Sequence, residues 1–511
     1  MGESVQVLWR EKVKSEWKVA FFTAIIMGFL IHAYKFLNTL PNHDSLYNYY
    51  SDQNMLASGR WLLSIVCGLS SYFDLPWIIG LLSLVFLGLT TVVIVEIFQV
   101  KNPILIGIIG GLLVAFPSIT ETFFFGFTAD GYFLAMLLAS LAVAFSSFRD
   151  KKKWHVVIAT ICVCCACGIY QSYVSYAMLL AICYFLWILL STECTMKECF
   201  KWIGRQLIIY VGGLTSFYVI WKICMMVQNV QANSNQGVDQ LQLSLSTVLS
   251  AIPQSIYNMV FFFLEWNVME NGWTLYGILN VIFLVCFAIL FVVVIYKSML
   301  WKRKGNLLLV FLCVVAIPFV ASMWCFATPS IQYRPMMLAG VVFLYILFAI
   351  LANNYLTNKM STIVGFLLAF IIFNNGIIAN ISYFYMNKSY EATYAVGQEM
   401  VERIHVLDVE KKEIAVIGSR LKDVSLDNTA HGKKIHMLGQ LLESDMLFDD
   451  AHVVNFLKNT FDEDICSVES EILETLKDSK EVKEMGVWPS SDSVKEIDGT
   501  IVIKISETNE E

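Results

Sequence analysis

The stretch Pro41–Trp61, PNHDSLYNYYSDQNMLASGRW, places His43, Asp44, Asp52 and Arg60 in one polar segment behind a long apolar run. A carboxylate can take a proton from a hydroxyl or orient it, and a guanidinium presents a planar fork to anionic oxygens. The same two chemistries recur further on. PSITETFFFGFTADGYFLAM carries Glu121 and Asp130 in otherwise apolar surroundings, and Arg334 stands directly before another apolar run. Ionisable groups at such positions are costly and line cavities or ion paths. For Asp130 a plainer use is also open, as the N-cap of a helix starting at Gly131. His43 beside Asp44 could shuttle a proton, but one histidine with no second His or Cys nearby does not make a metal site.

The elements that hold these groups follow from composition. Of 511 residues 57% are hydrophobic and 15% charged, against about a quarter charged in a soluble domain. The chain therefore reads as a polytopic α-helical membrane protein. With roughly 20 apolar residues per span, it has room for about eleven. The expected spans are Val19–Leu37, Pro76–Phe98, Pro103–Ile119, Gly131–Phe148, Val156–Gly168, Tyr173–Leu190, Leu207–Val227, Trp273–Tyr296, Leu307–Cys325, Pro335–Leu351 and Thr362–Tyr385. Leu62–Tyr72 and Val248–Leu264 read as re-entrant or interfacial helices, and GIYQSY as a tight hairpin between two spans. Met1–Trp17 is charged, and Val19–Leu37 is long enough to stay as a span rather than leave with a cleaved leader.

Basic residues collect in alternate loops: Arg10 to Lys18, Lys101, the 149–153 group, Lys197 with Lys201 and Arg205, the 297–304 group and Lys359. The positive-inside rule then puts the amino terminus in the cytoplasm, and Asp44 and the carboxyl-terminal tail outside. On this topology Arg60 and Arg334 are the two outer arginines of the membrane part. They form a candidate clamp for an anionic head group, with an ion pair to Asp52 or Asp74 as the alternative. The outer acids are Asp44, Asp52, Asp74, Glu121, Asp130, Glu265 and Glu270, of which Asp52, Asp74 and Glu270 read as solvated loop charges. Lys35 and Lys222 sit where snorkelling lysines are common. Trp61 and the tyrosines around it suit an interfacial aromatic belt or a stacking platform for a sugar ring.

Three segments result: a cytoplasmic amphipathic stretch 1–18, a transmembrane part 19–385, and an extracytoplasmic α/β domain 386–511. The last has expected helices at Tyr390–Val406, Lys434–Leu442 and Val468–Leu476, and strands at Glu413–Ile417 and Thr500–Ile505. Gly418 follows a strand without a Gly-rich phosphate fingerprint, which argues against a nucleotide site there. The 13 cysteines lie mostly in apolar runs and read as packing residues, with no metal role expected. Cys466 alone in the tail leaves it without an internal disulfide. No basic surface points to nucleic acid.

The order of these motifs resembles that of the bacterial Gtr type-II glucosyl transferases, membrane enzymes of GT-C type. The resemblance rests on Asp44 followed by Gly59-Arg60-Trp61, the segment with Glu121 and Asp130, the Tyr170-Gln171 pair, Arg334, and the closing WPSSDSVKEIDGTIVIKI from Trp488. One departure is that members often pair two acids in the first loop, whereas here Ser45 follows Asp44. The resemblance implies transfer of glucose or a related hexose from a polyprenyl-phosphate donor to a cell-surface polysaccharide, as in O-antigen modification. The reaction would take place on the outer face of the bacterial plasma (inner) membrane. Asp44 would be the general base, Asp130 and Glu121 would orient hydroxyls, and Arg60 and Arg334 would stabilise the departing phosphate, with inversion at the anomeric carbon. Tyr170, Gln171, Trp61 and His43 would complete substrate binding. No nucleotide is needed, a divalent cation (Mg²⁺ or Mn²⁺) stays open, and a donor synthase and flippase would act in the same pathway. The rival readings are a transporter or flippase for a lipid-linked glycan and an outward-facing sensor or scaffold.

Overall fold

A computed structural model describes residues 13–148, 152–232, 245–264, 274–328, 334–407, 413–419, 446–447 and 449–507, with 409 and 421 besides. The membrane part is built from α1 (Ser15–Leu37), a short α2 (Leu63–Cys67), α3 (Pro76–Ile97), α4 (Pro103–Ala115), α5 (Pro117–Phe124), α6 (Ala129–Phe145), α7 (Lys153–Ile169) and α8 (Tyr173–Ser191). It continues through α9 (Met196–Gln228), α10 (Leu245–Leu264), α11 (Leu275–Lys297), α12 (Lys304–Ala321), α13 (Val342–Tyr355) and α14 (Asn358–Val406). Among the described residues ten helices are long and apolar enough to cross a membrane, or eleven if α4 and α5 form one span bent by 41°. The protein is a polytopic helical membrane protein with a small carboxyl-terminal α/β region.

Prolines mark several helix starts, because their missing N–H costs nothing in a first turn. Pro76, Pro103 and Pro117 each occupy that position. Pro117 also ends α4: the residue before it, Phe116, is extended at ψ 139°. The expected span Pro103–Ile119 is therefore broken there, and Glu121 sits on a separate two-turn helix. The middle of the bundle is α13, buried on every side from Val342 to Ala352.

Hydrogen bonds between helix ends define two faces. On one, Lys14 pairs with Glu96 at 2.7 Å, Asn102 with Asn353 at 3.0 Å, Arg303 donates to the Thr192 carbonyl and Lys297 to that of Tyr355. This basic face carries the described lysines and arginines of the alternate loops. On the other, Gln171 donates to the Ser58 carbonyl, Trp221 to that of Leu56, and Ser118 to that of Pro335. The candidate site residues stand on this second face.

Helix α9 ends there, against the first loop, and α11 runs from there to Lys297 on the basic face. The end of α10 meets the start of α11. The Phe262 and Phe263 carbonyls of α10 accept from Tyr276 and Asn280 of α11. Helix α10, expected as re-entrant or interfacial, is one of the ten helices long and apolar enough to cross, whereas α7, which holds the expected span Val156–Gly168, is shorter and is not.

The last helix has 49 residues, about 74 Å at 1.5 Å per residue, against roughly 30 Å of hydrocarbon. The expected span Thr362–Tyr385 and the expected helix Tyr390–Val406 are one continuous rod, since nothing between them breaks a helix. The segment boundary at 385 falls inside it. Beyond it, β1 (Glu413–Ile417), α15 (Asp450–Phe461), β2 (Cys466–Ser467), α16 (Ser470–Asp478), α17 (Lys480–Glu484), β3 (Val494–Ile497) and β4 (Thr500–Lys504) form a four-stranded sheet of order β2-β1-β4-β3 with flanking helices. β1 runs parallel to β2 and β4, and β3 pairs antiparallel with β4. The β3–β4 turn is Asp498-Gly499, both at positive φ, the two-residue geometry that suits a twisted hairpin. The expected helix Lys434–Leu442 lies outside the described residues.

Candidate active site

Two constellations form on the site face. The first surrounds Arg60. Its Nη1 donates to the Tyr132 hydroxyl at 2.9 Å, and its guanidinium lies 4.8 Å from the centroid of the Tyr170 ring. The Tyr132 and Tyr170 rings stack at 4.7 Å and 15°. A guanidinium over an aromatic face is attracted by the ring quadrupole. Among the described residues Arg60 makes no ion pair with an acid, and its buried Nε has no hydrogen-bond partner. The ion pair to Asp52 or Asp74 is thus not formed. Asp52 is exposed and caps its own turn through Asn54 N, while Asp74 interacts with the buried Lys35. Lys35 is only 5% exposed and donates to the Leu40 carbonyl, so it does not snorkel.

The backbone that presents Arg60 is held by two other sequence-derived site residues. Gln171 Nε2 donates to Ser58 O at 2.6 Å, and Gly59 beside it takes φ +86°, a left-handed conformation that favours glycine. Trp61 is wedged against Gly168, where an added Cβ would lie 2.5 Å from the indole. Leu62 N donates to Gly168 O at 2.9 Å. Gln171 and Trp61 therefore fix the Arg60 loop to the hairpin between α7 and α8, and Tyr170 of that hairpin lies under the guanidinium. Asp130 is 1% exposed and lies in the first turn of α6, which begins at Ala129 with Thr128 as its N-cap. It is therefore not the cap but stands two residues past it, at the second helical position, and its Oδ1 accepts from Gly131 N at 2.9 Å.

The second constellation gathers Glu121, Arg334, His43 and Asp44. Glu121 is fully buried on α5; its Oε2 accepts the backbone N–H of Met336, and its Oε1 has no hydrogen-bond partner. The same helix holds the segment a second time through Ser118 Oγ and Pro335 O, at 2.7 Å. Arg334, immediately before these anchors, lies 5.8 Å from the Phe125 ring, and its charge acts on both Glu121 and His43. His43 Nε2 stands 3.4 Å from Asp44 Oδ1. Burial pushes the His43 imidazole below its ordinary value, with Asp44 opposing. The Asp44 side chain is 44% exposed, far more open than Glu121 or Asp130. Ser45, the residue after Asp44, is buried and completes a reciprocal cap with Asn42 that shapes this turn.

Helix α5 connects the two groups. Thr122, next to Glu121, hydrogen-bonds Tyr173, whose ring centroid is 6.0 Å from that of Tyr170. The family model for Glucosyl transferase GtrII matches residues 33–345, more than half of the chain. The chain belongs to the GtrII family. The matched part runs from within α1 into α13 and includes every sequence-derived site residue; α14 and the α/β region lie beyond it. GtrII membership makes the protein a multi-pass membrane glycosyltransferase, with a sugar donor and a glycan acceptor as its partners. No curated protein and no solved structure matches the chain.

Among the described residues no group of three or more His, Cys, Asp or Glu side chains is placed to hold a metal ion. Each carboxylate has a different neighbour instead: Asp44 a histidine, Glu121 an arginine and a backbone N–H. No all-protein cage for Mg²⁺ or Mn²⁺ is therefore present among the described residues; Mg²⁺ is usually held by one or two carboxylates together with substrate phosphate oxygens. Glu265 and Glu270 lie outside the described residues. Sequence reasoning missed Tyr132 as the hydroxyl partner of Arg60; its position two residues after Asp130, at a helix start, was the available signal. It also missed Tyr47, which reaches Asp449 and His452 more than 400 residues away.

Proposed function

We propose that this GtrII protein transfers glucose, or a related hexose, from polyprenyl phosphate to a cell-surface polysaccharide on the outer face of the plasma membrane. The observation that carries this reading is that, among the described residues, neither Arg60 nor Arg334 forms a carboxylate ion pair, while both stand on the face opposite the basic loops. Two half-buried guanidinium groups, one held by a phenol and one near Glu121 without a direct ion pair among the described residues, are suited to an anion that arrives with the substrate. The basic loops support a cytoplasmic position for the other face.

In the reaction an acceptor hydroxyl attacks the anomeric carbon. Asp44 takes the hydroxyl proton as the new C–O bond forms, and the bond to the lipid phosphate breaks with its electrons going to the phosphate oxygen. Asp44 is the one acid of the site open enough to meet a polar glycan. Arg60 and Arg334 stabilise the charge that develops on the leaving phosphate. Glu121 Oε1 and Asp130 orient sugar or acceptor hydroxyls, and direct displacement inverts the anomeric configuration.

The test is glucosyl transfer by purified Asp44→Asn in liposomes, with glucosyl polyprenyl phosphate as donor and the host surface polysaccharide as acceptor. The variant is expected to fold and to lose transfer; parental rates would remove Asp44 from the role of base.

A further inference from the structure

The first loop does not end its contacts in the membrane part. Leu46 is fully buried, and the core it belongs to is that of the α/β region, among Met400, Val453 and Phe456. Beside it the Tyr47 hydroxyl lies 2.9 Å from His452 Nδ1 and donates to Asp449 Oδ1 at 3.2 Å. Asp449 in turn caps α15 through His452 N at 3.0 Å and meets His452 Nδ1 at 2.6 Å. Tyr49 reaches Thr460 on the same helix at 3.3 Å. The His452 ring packs edge-on to Tyr47 at 4.5 Å and stands 6.1 Å from the His43 ring. His43 is the immediate neighbour of Asp44, so α15 touches the turn on both sides of that carboxylate.

We propose that the carboxyl-terminal domain positions the Asp44 turn for transfer, with Tyr47 and His452 as positioning residues and Leu46 as the anchor. The turn is five residues of 3-10 helix between a span and an irregular segment. Such a turn has little rigidity of its own, and a displacement of about 1 Å in a reacting group costs on the order of 100-fold in rate. The domain supplies what the turn lacks: a buried apolar anchor, two hydroxyl contacts and a ring against His43. Helix α14 carries that domain directly out of the bundle, so its location is set by the membrane part itself. The inference rests on the proposed reading of Asp44.

The test uses the full-length protein in liposomes with glucosyl polyprenyl phosphate and the host polysaccharide, rates being expressed per folded molecule by size-exclusion chromatography. Tyr47→Phe and His452→Ala are each expected to lower kcat tenfold or more, with the donor KM within twofold of the parent. The double variant should be no worse than the more damaged single one, because both act through one contact. His452→Asn, which keeps a hydrogen-bonding atom near Nδ1, should recover part of the loss. Lys477→Ala, on α16, should match the parent. Parental kcat in both single variants, or a fall in kcat matched by an equal rise in donor KM, would overturn the proposal. Inactive Asp44→Asn with parental Tyr47 and His452 variants removes the positioning role alone. Active Asp44→Asn removes the base assignment, and the kcat of the other variants then decides whether the domain positions the turn.

Discussion

The Tyr132 hydroxyl accepts a hydrogen bond from Arg60 Nη1 at 2.9 Å, in the place where an acid would neutralise the charge. A phenol holds the guanidinium in position without neutralising its charge. Arg60→Lys keeps the charge but loses the planar fork and the stacking on Tyr170. Its kcat/KM should fall about 10- to 100-fold, the worth of a charged hydrogen bond. Tyr132→Phe should weaken donor binding less, as it removes the positioning bond alone. Steady-state kinetics with varied donor separates the two; equal and unchanged constants would place the phosphate elsewhere.

Glu121 makes a second, independent prediction, because its two oxygens do different things. Oε2 anchors the Met336 N–H next to Arg334, and Oε1 has no hydrogen-bond partner. Glu121→Gln can still accept from Met336 N through its amide oxygen, whereas Glu121→Ala frees the Arg334 segment. Alanine should therefore reduce transfer by about 100-fold or more, and glutamine by less. The same assay reads both, and a glutamine variant as damaged as alanine would mean that charge outweighs anchoring.

Gly59 tests the loop that carries Arg60. At φ +86° a side chain is strained, and a Cβ would collide with the Gln171 amide that clamps Ser58. Gly59→Ala should lower stability by about 1–2 kcal/mol and reduce transfer, measured by thermal unfolding in detergent and by the transfer assay. Gln171→Ala should lose the clamp and, in combination with Gly59→Ala, add little further loss of transfer.

His43 predicts a pH dependence. Burial holds its folded value below the ordinary one near 6.5, with Asp44 opposing the shift and His452 and Arg334 reinforcing it. The unfolded chain then binds the proton first as pH falls. The contribution of the neutral imidazole is intact above about pH 6.5 and is lost as pH falls through the folded value. The unfolding midpoint in detergent should drop on acidification from pH 7.5 to 5.5, and His43→Asn should flatten that slope. Identical slopes would show that other groups control acid stability.

Much of the membrane architecture was readable from residue order. The apolar runs match helices to within a few residues at α3, α8 and α11, and the GIYQSY hairpin stands at Tyr170–Ser172. Charge placement singled out Arg60 and Arg334, which the fold sets on the face opposite the basic loops. What was not readable were the break at Phe116 and the continuity of α14, for opposite reasons. The first turns on the extended backbone before Pro117, inside an apolar run that looks like one span. The second joins an apolar and a charged stretch that differ only in solvent.

Composition and spacing by themselves determined that the chain lies in a membrane, where most of its apolar helices run, and which charges stand at their ends. These are consequences of local chemistry, because hydrocarbon selects for apolar length and excludes unpaired charge wherever it occurs. Only the tertiary structure decided which charges keep company. It gave Lys35 to Asp74 rather than Arg60 to either acid, set Tyr132 against Arg60, turned Gln171 and Trp61 into supports for the Arg60 loop, and brought His452 to Tyr47. Partnership depends on helix rotation and on the return of a distant segment to the same face. Neither leaves a period or a spacing in the chain.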